Sequence, residues 1–167
     1  MKNIFKASAV LFVGLSLIVS SCKKEEQIIE GCTESSAMNY QSSATNNDGS
    51  CVFAYQLMVN TWNISSECDG SIMSGVLPET IEVLAGESEG DLMIDLGTAG
   101  VFNGSITSAG VIIIPSQVVT GIPIPIPGIS PTINGNGTLD AESNCLVNLT
   151  VDLGLLGSET CILTLTL

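Results

Sequence analysis

From residue 54 onward, apolar and polar positions alternate in short runs broken by Gly, Asn, Asp and Ser, the pattern of strands half-buried in a sheet. Candidate strands span residues 57–67, 80–85, 91–96, 101–107, 110–118, 132–139, 145–152 and 159–167. Turns fall at 86–90, 98–100, 108–110 and 153–158, so most neighbours are expected as antiparallel hairpins. No long stretch carries capped helical periodicity. The expected fold class is all-β: a small antiparallel meander barrel of about eight strands, with a β-sandwich as the alternative.

Side-chain faces favour closure. On the first strand Trp62, Ile64, Ser66 and Cys68 share a face, and on the last Cys161, Leu163, Leu165 and Leu167 do. Laid antiparallel, one register sets Cys68 opposite Cys161, Trp62 opposite Leu167, and both apolar faces together. A turn centred between Leu155 and Leu156 would set Cys161 opposite Thr150, away from Cys145.

The N-terminus reads differently. Lys2 and Lys6 precede an apolar run over residues 7–19, then Ser20 and Ser21 stand before Cys22, the layout of a secretory signal peptide over residues 1–21. The run is shorter than the about 20 helical residues that a membrane span requires. Residues 22–30 follow as a tether, 31–53 as a cysteine-bracketed module, and 54–167 as the β domain.

Small residues ahead of a cysteine also suit ordinary peptidase cleavage. The order Val19-Ser20-Ser21-Cys22 resembles the lipobox of bacterial lipoproteins, which implies that Cys22 is lipidated and becomes the mature N-terminus. At ~0.8 kcal/mol per buried methylene, two or more acyl chains anchor stably where one does not. Lys23, Lys24, Glu25 and Glu26 resemble the Lys-then-acid export tag of surface lipoproteins in Bacteroidota. That likeness implies an outer-membrane, surface-exposed location; a solvated charged tether accounts for the same residues without it.

With Cys22 lipidated, Cys32, Cys51, Cys68, Cys145 and Cys161 remain for an oxidising compartment. The expected pairs are Cys32 with Cys51 and Cys68 with Cys161. Cys145 is left as a buried thiol on the face of Val147, Leu149 and Val151. The rival pairs Cys68 with Cys145. Closing the loop of about 20 residues between Cys32 and Cys51 is worth ~3 kcal/mol in a chain-entropy treatment, which matters for a piece too small to own a core.

That bracketed piece resembles a short module of secreted and surface proteins in Bacteroidota, with Ala37, Asn39, Tyr40 and Ala44 in its middle and Asp48, Gly49, Ser50 and Cys51 at its end. Asn46, Asn47 and Asp48 offer oxygen ligands that invite calcium. The run holds one carboxylate and lacks an EF-hand frame, and an Asn-Asp-Gly turn accounts for the same residues without metal. No metal ligand or cofactor is assigned.

Charge sets what the protein does not do. All four cations lie at or before Lys24, and residues 25–167 hold all 17 acids with no Lys, Arg or His, a formal charge of −17. Nucleic acid and anionic headgroups are therefore excluded as partners. So is chemistry that needs a His base, a Schiff-base Lys or a phosphate clamp. Carboxylate-pair hydrolysis survives as a minor possibility. Asp95-Leu96-Gly97 superficially matches the Asp-Thr-Gly of aspartic proteases, but it lacks the hydroxyl residue and a second copy; Asp95 reads as a solvent-facing strand end.

An early Trp62, a meander and a terminal cysteine resemble the small lipocalin-like domains of bacterial lipoproteins, although Asn60 stands where the lipocalin motif has Gly and no Arg exists to stack on the indole. Trp62 is read as a core aromatic closing one barrel end, and ligand binding is not carried over from the likeness. In residues 120–132, Ile and Pro alternate, which favours an extended path that cannot join a sheet. Its isoleucines either form a contact patch or fold back on the core. The expected function is non-catalytic: a lipid-anchored surface module contacting a ligand or matrix. The alternative is a lipocalin-like carrier of a small apolar ligand.

Overall fold

Strand pairing runs through eight consecutive strands and returns to its start, closing a barrel in the order of the chain. The structure, a computed structural model, describes residues 27–122, 124 and 128–167. Residues 1–21, expected as a signal peptide, Cys22 and the Lys23, Lys24, Glu25, Glu26 run lie outside the described residues, as do Pro123, Pro125, Ile126 and Pro127.

In the bracketed module, Glu30–Gly31 (β1) pairs in parallel with Asn46–Asn47 (β2). A one-turn helix, Ala54–Met58 (α1), leads into the barrel strands Thr61–Cys68 (β3), Thr80–Ala85 (β4), Asp91–Asp95 (β5), Val101–Ile106 (β6), Val111–Val118 (β7), Thr132–Leu139 (β8), Cys145–Asp152 (β9) and Ser158–Thr166 (β10). β10 pairs with β3 to close the ring, placing Cys161 opposite Cys68 and Thr166 opposite Asn63. That is the register expected from the two apolar faces, and the sandwich alternative is set aside.

Inward positions alternate with outward ones on each strand, so Val83, Ile94, Phe102, Ile112, Leu149 and Leu165 meet in one core. A barrel this narrow requires small residues opposite large ones. A methyl added at Gly135 would lie 2.5 Å from the Asn148 carbonyl oxygen and 3.4 Å from Ile114 Cδ1; one at Gly104 would lie 3.0 Å from Ile94 Cδ1. The isoleucines occupy the room those glycines leave.

Both ends are closed. Where β3 begins, α1 contributes Ala54 and Met58 to the core, Trp62 is wholly buried, and its indole Nε1 donates to the Met58 carbonyl at 2.9 Å. Met38 of the module packs against the same core. At the far end the 69–79 connection crosses with Met73 buried, and the Ile-Pro loop folds inward through Ile122 and Ile124. For the described part of that loop, folding back is the outcome.

Two expectations need correction. The first strand starts at Thr61 and not at residue 57, because Ala54–Met58 turns as a helix that brings Met58 under the indole. In the last hairpin Cys161 lies opposite Leu149, with Thr150 opposite Thr160. Directly opposed residues share a face, so an inward Cys161 must meet an inward residue. The turn is accordingly centred on Leu155, within the one-turn 3-10 helix Gly154–Leu156, which Gly154 at φ 64° and Gly157 at φ 88° enter and leave.

Disulfides join Cys32 to Cys51 and Cys68 to Cys161, and Cys145 is a buried free thiol. Burial, with a smaller contribution from the Asp140 carboxylate, pushes its pKa up to about 12. Peptide mapping under non-reducing conditions should recover those two crosslinks alone. Iodoacetamide at pH 8 should label Cys145 only after denaturation, because the thiolate is scarce and inaccessible. Cys161→Ala, which removes a link across 93 residues, should lower unfolding free energy by ~4 kcal/mol in a denaturant titration.

Candidate functional site

The barrel interior leaves a residual cavity of about 30 Å³, lined only by apolar groups including Met58, Ile64, Leu77 and Leu163. One water's share of liquid is about 30 Å³, whereas small-molecule sites span roughly 300–1,000 Å³. The core is filled.

The calcium run resolves into a turn. Asn47 Oδ1 accepts from the Gly49 N–H at 3.0 Å, Asp48 Oδ1 accepts from the Ser50 N–H at 2.9 Å, and Gly49 takes the left-handed φ of 79°. Asn46 Nδ2 donates to both Glu30 oxygens at 2.9 and 2.7 Å, which ties β1 to β2. The other module residues are structural too: Asn39 Oδ1 accepts from the Val52 N–H at 2.8 Å, and its Nδ2 donates to the Ser50 carbonyl at 2.6 Å. Among the described residues no group of three or more His, Cys, Asp or Glu is placed to hold a metal ion.

The carboxylates are spread over the outer surface. Asp95, half-buried at the end of β5, accepts from the Gly97 N–H at 2.7 Å and so fixes a turn. Glu82 lies opposite Asp95 on the outer wall, and Glu87 and Asp91 line an open outer groove of about 750 Å³ beside Met93, Asn103 and Pro115. Among the described carboxylates Glu159 alone is buried. Its two oxygens accept from the Ile72 and Met73 N–H groups at 3.0 and 2.8 Å, pinning the 69–79 connection over the barrel end.

Strand pairing also has a gap that sequence reading missed. β6 and β7 share only the pairs Ser105–Ile113 and Ile106–Ile112 before a bulge at Pro115 draws β7 away. There the Gln117 carboxamide accepts from the Asn103 N–H at 2.9 Å and donates to the Asn103 carbonyl at 2.6 Å. A side chain stands where a strand's backbone would.

Two further surfaces offer places for a partner. One is the outer wall of β7 to β10, which presents Val111, Ile113, Asn136, Thr138, Asn148 and Ile162; its charges lie at its borders, Asp152 and Asp140 at the two rims and Glu67 of β3 opposite Ile162. The other is an open groove of about 550 Å³ between α1 and the turns after β4 and β6, lined by Phe53, Tyr55, Gln56, Glu89, Thr107 and Ser108 among others. No family model matches the chain, and no curated protein or solved structure matches it either.

The Ser50 hydroxyl and N–H hold Asp48 below the usual carboxylate range, and the Asn144 side chain and N–H do the same for Asp140. In a carboxyl-detected NMR titration both should have midpoints below the ~3.9 of an unperturbed Asp. A depressed folded pKa stabilises above the unfolded value, and that contribution disappears as pH falls through the folded one, so the two turns should loosen on acidification. Glu159→Ala leaves two N–H groups without their acceptor and should cost about 1–3 kcal/mol by chemical denaturation.

Proposed function

We propose that this protein is a non-catalytic, lipid-anchored cell-surface β module that binds a ligand or matrix with the outside of its barrel. The observation that carries this reading is the filled interior: with about 30 Å³ left inside, contacts must be made from without. The same fact counts against the carrier alternative, which requires a cavity able to enclose a ligand. The wall of β7 to β10 supports the outward reading. In a body of formal charge −17, its centre is a surface where a neutral partner meets few charged groups to desolvate, the nearest carboxylates being Glu67, Asp140 and Asp152 at its borders. The enzyme reading has little support, since the paired acids sit on convex outer strands or an open groove and not around an enclosed scissile bond.

Anchoring rests on Cys22 and display on Lys23 to Glu26, both outside the described residues. Among the described residues no helix is long and apolar enough to cross a membrane. Fractionation tests the anchor: Cys22→Ala should move the protein from the membrane pellet to the soluble fraction, and retention in the pellet would refute lipidation. Protease added to intact cells tests display. The native chain should be cut, and replacing Lys23, Lys24, Glu25 and Glu26 with neutral residues should protect it; equal cutting of both would remove the export tag.

A further inference from the structure

We propose that the groove between α1 and the turn after β4 is a binding site for a small organic cation of the alkylammonium type. The argument begins with where the rare aromatic side chains lie. The described residues hold five: Tyr40, Phe53, Tyr55, Trp62 and Phe102. Trp62 and Phe102 are buried in the barrel, and of the other three, Phe53 and Tyr55 both line this one groove. Both residues are half-buried, and Tyr55 also packs against the barrel core.

Charge selects the ligand. Glu89 is the groove's one charged side chain, and residues 25–167 contain no cation to oppose a positive ligand. A body of formal charge −17 raises the local concentration of cations and turns anions away. An ammonium group against an aromatic ring, with a carboxylate as counter-charge, gains from both partners. Ser36, Gln56, Thr107 and Ser108 supply hydroxyl and amide groups for the ligand's polar remainder. The volume of about 550 Å³ falls in the range of small-molecule sites, roughly 300–1,000 Å³. The proposal is independent of the lipid anchor, and each can fail without the other.

Choline is a suitable probe, titrated at constant ionic strength into the full chain in non-ionic detergent micelles and followed by amide shifts. Saturable shifts should concentrate at residues 53–56, 89–90 and 106–108. Glu89 is exposed on a turn, so Glu89→Gln leaves folding intact; it should weaken binding about fivefold, the effect of one unit charge at ~4 Å in water. Glu87→Gln removes the same charge from the same turn but outside the groove, where solvent screens it, and should change binding by less than about twofold. Tyr55→Leu should weaken binding by about two- to fivefold, with the remaining spectrum showing that the barrel persists. Shifts that never saturate, shifts scattered over the acidic surface, or equal weakening by the two Gln variants would reduce the effect to a counterion cloud and overturn the site. Equal shifts with glucose would overturn its selectivity for a cation.

Discussion

No positive side chain follows Lys24, so among the described residues the carboxylates have no side-chain cation to pair with and must be satisfied otherwise. Six of them are satisfied by backbone N–H groups. Asp48, Asp95, Asp140 and Asp152 each accept from an N–H two residues onward, Asp69 accepts from the Thr160 N–H, and Glu159 holds two consecutive N–H groups. An anionic acceptor on a backbone donor is stronger than a neutral one, so the acids of this protein are the rivets of its turns. Solvent and salt absorb what repulsion remains.

With ion pairs excluded, cohesion falls to apolar burial, the strand ladder and two disulfides. The weak places in the ladder show how locally this is arranged. β3 and β4 share three residue pairs and β6 and β7 share two. The first gap is covered by the 69–79 connection under Met73 and Glu159, the second by Gln117. Buried side-chain polar atoms among the described residues all have partners, as a body without compensating charges requires.

Much of the barrel was legible because strand alternation has a strict period. The inward sets on the first and last strands allow one good register, and it carries Cys68 to Cys161 with it. The same parity places Glu159 inward, two residues from Cys161, and opposes Cys161 to an inward Leu149; both followed from residues already assigned. What parity could not supply was the rest. α1 is too short for periodicity, although Ala, Gln, Leu and Met are good helix formers and the indole N–H needed an acceptor. The Gln117 clamp and the groove join segments distant in sequence, and nothing local marks them.

The Cys68–Cys161 bond also decides how the protein bears load. A barrel pulled at its two chain ends would ordinarily unravel strand by strand. Here the bond encloses a loop of sequence separation 93, which withholds roughly 300 Å of contour length from extension. Force can peel the chain ahead of Cys68 and the few residues after Cys161, and no further. Between those points the barrel behaves as a link in a chain and not as a spool of thread.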